Sequence, residues 1–209
     1  MSRAAQLATG LVAGAAAWTF TEYATHRWVL HGPFGKSGAA NRPATGSTAK
    51  RVLARIPVGG IHQSHHRDPN WSVLWGRAGG HVAMAATGAA GSRALLAAAP
   101  SLPAAAVIAA GVAWSAGYST YDIVHHRLHH RAPTTALGVR MRQRHFRHHF
   151  AGARTNLGVT TAVWDRLLGT EAPSRPVRIP SATAPPWLDR LGGDFSSASS
   201  AQPPLVQPA

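Results

Sequence analysis

Residues 104–130 read AAAVIAAGVAWSAGYSTYDIVHHRLHH: an uncharged run up to Asp122, then four histidines and an arginine in six positions. About 20 helical residues, rising 1.5 Å each, cross the hydrocarbon core of a bilayer. The first part therefore reads as a membrane-spanning helix over 104–124 and the second as its polar end. Upstream, residues 79–99 form another apolar run, separated from the first by Pro100-Ser101-Leu102-Pro103. A proline pair there reads as a turn, so the two runs predict a hairpin of spans. Arg93 must either snorkel or mark the end of a shorter helix. Residues 4–24 (AAQLATGLVAGAAAWTFTEYA) are a third run, apolar until Glu22 and rich in the small residues that suit close helix packing in lipid. A secretory signal peptide competes for this stretch, but Arg3 alone makes a poor basic leader and the run passes directly into a polar motif.

The distribution of charge agrees with membrane spans. The 209 residues, enough for one domain, carry 21 Lys+Arg against 7 Asp+Glu, a formal charge of +14. Residues 27–77 and 125–154 hold most of the basic side chains, whereas 78–124 has only Arg93 and Asp122. Basic blocks alternating with uncharged ones are the pattern of cytoplasmic segments flanking spans. A nucleic-acid binder has no need of the uncharged blocks, so nucleic acid is not an expected partner. With no cysteine, any metal must be held by nitrogen and oxygen. The polar stretch 35–50 contains Gly35-Lys36-Ser37, but Leu30 stands where a phosphate-binding loop needs its first glycine. Residues 172–209, rich in Pro, Ser and Ala, read as a disordered tail after a domain of 1–171.

Twelve of the 13 histidines fall into four clusters: His26 and His31; His62, His65 and His66; His125, His126, His129 and His130; His145, His148 and His149. His81 stands alone and reads as an ordinary polar residue. In a helix, positions i, i+3 and i+4 share a side, so His-x-x-His-His is expected to aim three imidazoles at a common point. Neutral imidazole suits Fe, Zn and Cu, and two such stripes could surround a pair of ions. By spacing alone the third triplet is His126, His129 and His130. His26 and His31 are five apart, about 140° round an ideal helix, and cannot both face one ion from an undistorted one. Either the helix ends between them, near Gly32-Pro33, or each serves a different ion.

In order, the motifs are Glu22-Tyr23-x-x-His26-Arg27-Trp28-Val29-Leu30-His31-Gly32; His62-x-x-His65-His66-Arg67-Asp68-Pro69; Tyr121-Asp122-x-x-His125-x-x-x-His129-His130; and His145-x-x-His148-His149-Phe150. They resemble those of the fatty acid hydroxylase/sterol desaturase superfamily. Asn156-x-Gly158-Val159-Thr160-Thr161-x-x-Trp164-Asp165-x-x-x-Gly169-Thr170 continues the likeness, which covers about residues 18–170. The resemblance implies an all-α integral membrane helical bundle with a cytosolic helical cap carrying the histidine clusters. It also implies two iron ions, with zinc as an alternative occupant in purified protein, and O2 as co-substrate for hydroxylation or desaturation of a lipid. By position, the metal ligands become His26, His31, His62, His65, His66, His125, His129, His145, His148 and His149. Here Tyr121-Asp122 sets the register in favour of His125, and His130 stays a further candidate. The family usually has four spans where this chain offers about three.

A metal-bound histidine usually passes its other N–H to a carboxylate or carbonyl. Glu22, Asp68, Asp122, Asn156 and Asp165 are candidates for that outer shell, with turn formation the competing role for Asp68 and loop closure or helix capping for Asn156 and Asp165. Trp18, Trp28 and Trp71 are expected in the interfacial belt. Electrons must come from an external donor, a ferredoxin or a cytochrome b5-like reductase system, because the chain has no cysteines for an iron–sulfur cluster and no nucleotide-binding glycine motif. The alternative function is a membrane metal-binding or transport protein without oxygenase activity. That protein would place its ligands within the spans rather than at their basic ends.

Overall fold

Glycine and alanine set the helix spacing that the apolar runs predict. The computed structural model describes residues 1–32, 58–70, 74–173, 177–180, 183–189 and 206–207. The polar stretch 35–50 and Trp71 lie outside the described residues. The fold is mainly helical. Helix α1 (Arg3–Ala24) runs into a π-helical turn (Thr25–Leu30), followed by α2 (Val58–Arg67), α3 (Leu74–Ala98), α4 (Ala104–His130), α5 (Ala136–Phe150), α6 (Val163–Leu167) and α7 (Pro186–Asp189). Two short strands, β1 (Val177–Arg178) and β2 (Val206–Gln207), pair in parallel. The described chain divides into two compact units, residues 1–22 with 73–124, and 23–72 with 125–209.

In the first unit the proline-flanked break between α3 and α4 falls where the sequence predicts it. A methyl group added at Gly10 would sit 2.2 Å from the Ala106 carbonyl oxygen, and one at Gly14 would sit 2.1 Å from that of Ala110. Two small residues one turn apart on each helix thus let the α1 and α4 backbones touch, the small-xxx-small mode of membrane helix packing. Trp18 is buried against Trp114 and Tyr118 at centroid distances of 5.6 and 5.9 Å. It is therefore a packing residue, not the interfacial anchor expected. Leu7, Leu11, Val12, Val82, Leu95, Ile108 and Val112 are exposed. Even so, among the described residues no helix is long and apolar enough to cross a membrane. Helices α1, α3 and α4 have 22, 25 and 27 residues, so the shortfall lies in apolarity. Their Ala, Gly, Ser and Thr content dilutes the larger apolar side chains.

The second unit has its own core of Phe146, Val177, Ile179, Trp187 and Leu188. Four of these five lie in the stretch whose composition suggested a disordered tail, so the described part of that stretch packs. The reason is visible at α4. Its last carbonyls need donors once the helix stops. Arg142 supplies them, Nε to Leu128 at 2.8 Å and one terminal nitrogen to Arg127 at 2.8 Å and to Arg131. Trp187 Nε1 donates to the His129 carbonyl at 2.7 Å, while its ring lies 4.6 Å from the Arg142 guanidinium. Thr135 caps α5 by accepting from Gly138 N.

Candidate metal centre

Ten histidines converge in the second unit as two groups of five. One comprises His26, His31, His62, His66 and His148, the other His65, His125, His129, His145 and His149. Within each group the candidate ligand nitrogens lie within 4.8 Å of one another. These are the ten positions singled out by the family resemblance. His126 and His130 pack against each other at 4.3 Å and belong to neither group.

The way each helix feeds the groups corrects the expectation of one common point. On α2, His62 and His66 enter the first group and His65 the second; on α5, His145 and His149 enter the second and His148 the first. Residues i and i+4 differ by about 40° round the axis, whereas i+3 lies about 100° from i+4. The triplet is therefore a fork: its i, i+4 pair serves one group and its i+3 member the other. His125 and His129 on α4 are another i, i+4 pair, which is why spacing around His126 misled.

His26 and His31 meet through a change of helix type. The His31 N–H donates to the His26 carbonyl at 3.0 Å, an i to i+5 bond. A turn that closes on the fifth residue stacks residues five apart, and the two rings lie 4.9 Å apart by centroid. Both of the alternatives left by an ideal helix are thereby replaced by a third.

Two carbonyls of the loop after α5 orient the first group. His26 Nδ1–H donates to Leu157 O at 2.5 Å, and His148 Nδ1–H to Thr155 O at 2.9 Å. A carbonyl only accepts, so both histidines carry their proton on Nδ1 and turn an Nε2 lone pair inward. His62 Nε2 lies 3.2 Å from His26 Nε2, 2.7 Å from His31 Nε2 and 3.1 Å from His66 Nε2, and His66 Nε2 is 3.1 Å from His148 Nε2. One ring nitrogen has one proton or one lone pair and cannot satisfy three partners. Lone pairs facing each other so closely repel, and a cation between them would relieve that repulsion. The second group repeats this, with Nε2 pairs at 3.0 Å (His65, His125) and 2.7 Å (His129, His145). Both ring nitrogens of His149 are buried without a hydrogen-bond partner, a cost that a metal bond would remove.

Burial, before any neighbouring charge, pushes all ten imidazoles well below their ordinary value. His26, His31 and His65 are lowered to about 4 and His66 to about 2. His62, His125, His129, His145, His148 and His149 shift the same way for the same reason. At neutral pH the centre offers neutral nitrogen donors, the form that metals bind. An all-imidazole set without thiolate fits iron or zinc.

The expected outer shell is realised unevenly. Asp165 is fully buried: Oδ1 accepts from Leu157 N at 2.8 Å and Thr170 Oγ1 at 2.7 Å, and Oδ2 from Gly158 N at 2.9 Å and Arg144 at 2.8 Å. It thus fixes the very peptide whose carbonyl holds His26. Asn156 adopts a left-handed φ of 52°, bonds Thr170 O through its N–H and accepts from Ala172 N, so it closes the loop instead of lining the centre. A methyl at Gly158 would fall 2.0 Å from the Thr161 carbonyl oxygen, which excludes any side chain there. Asp68 is exposed and accepts from Asn70 N at 3.1 Å, the turn role. Asp122 in the first unit pairs with His81 at 3.2 Å, giving the isolated histidine a partner the sequence did not reveal. Glu22 is buried in that unit and electrostatically coupled to Tyr121. Arg142, Arg144, Trp187 and the Thr155 and Leu157 carbonyls carry no sequence signal of their own.

The profile of the fatty acid hydroxylase family matches residues 11–170. A dihydroceramide fatty acyl 2-hydroxylase of Arabidopsis thaliana is 28% identical over 160 residues, 77% of this chain and 59% of that protein. The fatty acid 2-hydroxylase of Mus musculus is 26% identical over 180 residues, 78% of this chain and 39% of the relative. The solved structure of full-length scs7p, in which only the hydroxylase domain is visible, superposes with a TM-score of 0.59 at 22% identity. The match covers 85% of this chain and 60% of that one, and it supports the fold. The chain thus spans 39 to 59% of the length of these curated relatives.

Proposed function

The chain belongs to the fatty acid hydroxylase family, and from that premise we propose that it hydroxylates the acyl chain of a lipid with O2 at a dinuclear iron site held by the ten grouped histidines. The observation that carries the reading is the convergence of imidazole nitrogens on His62 Nε2, which makes chemical sense around a cation. Two bound iron ions would supply O2 activation and removal of hydrogen from an unactivated C–H bond. The protein's own part is positional. The Thr155 and Leu157 carbonyls keep Nδ1 protonated on His148 and His26, and burial keeps the imidazoles neutral. Overall, one C–H and one O2 become C–OH and water, consuming two electrons and two protons. The electrons come from an external donor such as a ferredoxin or a cytochrome b5-like reductase system. The lipid substrate, and 2-hydroxylation within it, are suggested by what the named relatives act on.

Membrane attachment belongs to the same proposal. It is supported by the exposed apolar side chains of α1, α3 and α4, their small-residue packing, and the basic blocks that would place the histidines on the cytoplasmic side. The test is reconstitution of the full chain with iron in detergent micelles, with a reductase system, O2 and a fatty acid. Two irons per chain and a product heavier by one oxygen atom are expected. His148→Ala should abolish product while leaving helical content unchanged. Iron bound without O2 consumption would instead favour a metal-binding or transport protein.

A further inference from the structure

A cavity of about 440 Å³ opens beside the first histidine group, walled by Arg27, Trp28, His31, Arg154, Leu157 and Thr170. Its charge is one-sided, with two guanidiniums and no carboxylate in the wall. Elsewhere in this unit Arg144 pairs with Asp165 and Glu171, Arg166 pairs with Glu171, and Arg142 donates to helix carbonyls. Among the described residues neither Arg27 nor Arg154 forms an ion pair. Arg27 is nevertheless held in place. It donates to Tyr23 Oη at 2.7 Å, Tyr23 Oη is 2.9 Å from Thr170 Oγ1, and Thr170 Oγ1 donates to Asp165 at 2.7 Å. Its guanidinium also lies 5.5 Å from the Trp28 ring centroid. The wall therefore carries positive charge, fixed at Arg27 and solvent-facing at Arg154, with an aromatic flank, and is concave and sized for a small group.

We propose that this cavity binds the oxyanion at the polar end of the lipid substrate, a carboxylate or a phosphate, through Arg27 and Arg154. A guanidinium's planar fork of donors matches either group. The proposal rests on the hydroxylase reading, because His31 belongs both to the cavity wall and to the first histidine group. An anion anchored there brings the carbons nearest the head, not the far end of the chain, toward the centre. The concave form favours a small anion over an acidic electron-donor protein.

The test measures equilibrium binding of radiolabelled hexadecanoate, hexadecyl phosphate and hexadecanol to the full chain in neutral detergent. Both anions should bind about tenfold or more tightly than the alcohol, as charge-assisted hydrogen bonds require. Arg154→Gln should remove that preference and leave the alcohol unchanged. Arg154 is exposed and makes no described hydrogen bond or ion pair, so this variant should fold as the parent does, which circular dichroism checks. Arg27→Lys, which keeps charge but loses the fork, should weaken the anions less. The tighter of the two anions identifies the head group. Equal binding of acid and alcohol would overturn the proposal, as would full displacement of hexadecyl phosphate by an equal concentration of inorganic phosphate. So would an Arg154→Gln chain that binds anions normally but is reduced slowly by an acidic donor. Anion-selective binding by a chain that hydroxylates nothing would support the cavity and overturn the catalytic reading. Hydroxylation of acid and alcohol with equal KM, unchanged by Arg154→Gln, would do the reverse.

Discussion

Replacing Asp165 by Asn keeps the shape of the side chain and removes one acceptor. The native carboxylate receives four hydrogen bonds, from Leu157 N, Gly158 N, Thr170 Oγ1 and Arg144, at no solvent exposure. An amide can keep Gly158 and Arg144 on its oxygen only by turning its nitrogen toward Leu157 N–H and Thr170. The threonine hydroxyl can rotate and accept, but the Leu157 N–H meets another donor. One buried orphan N–H costs about 1–3 kcal/mol, and loss of charge from the surviving bonds brings the total to about 2–4 kcal/mol. A melting temperature lower by about 5–15 °C follows for a chain of this size. The strain falls on the Leu157 N–H, one peptide before the Leu157 carbonyl that fixes His26, so the first group suffers and the second does not. Metal affinity of the first group should drop about ten- to a hundredfold, the usual effect of losing an outer-shell partner. Titrating the metal-free chain with zinc and dialysing against a graded chelator should give two retained ions for the parent and one for Asp165→Asn. Two ions held at parental affinity would refute the reasoning. Equal loss of both would refute its confinement to one group.

Gly158→Ala should lose the same single ion by a different route, because its methyl would overlap the Thr161 carbonyl; the same dialysis checks it. Acid should destabilise the metal-free protein. His26 is held at about 4 against an ordinary 6.5, so the unfolded chain binds its proton first as pH falls through that window. Stability is flat above about pH 7 and declines toward pH 4, by about 2 kcal/mol for His26 alone between pH 7.5 and 5, readable as a lower melting temperature. Gly14→Leu should force α1 from α4, costing about 1–3 kcal/mol or more in a detergent melt, while zinc stoichiometry stays at two.

The histidine positions were legible because imidazoles at i, i+3 and i+4 on basic segments are a chemical pattern written along one chain. Their division between two groups was not. His65 and His66 are neighbours in sequence and equally plausible partners for any ion; only helices α2, α4 and α5 facing one another assign each to its own side. The three long helices were legible from uncharged runs and the proline break. Their modest apolarity was also visible in the Ala and Gly content, and it is what keeps them short of the spans expected.

The residues past 172 show the opposite limit. Proline, serine and alanine in that stretch describe an average, and the average conceals Val177, Ile179 and Trp187, which pack against Phe146. Likewise Asn156 and Asp165 looked alike as polar residues of one motif. A left-handed backbone at the first and a fourfold-bonded carboxylate at the second separate turn from support. By itself the sequence determined which atoms could bind metal, since ligand chemistry resides in side chains. Tertiary structure decided which of them converge in one group, how His26 and His31 meet through a π-helical turn, and which carbonyls set their tautomers. Those properties depend on distances between segments far apart in the chain, and no local pattern encodes them.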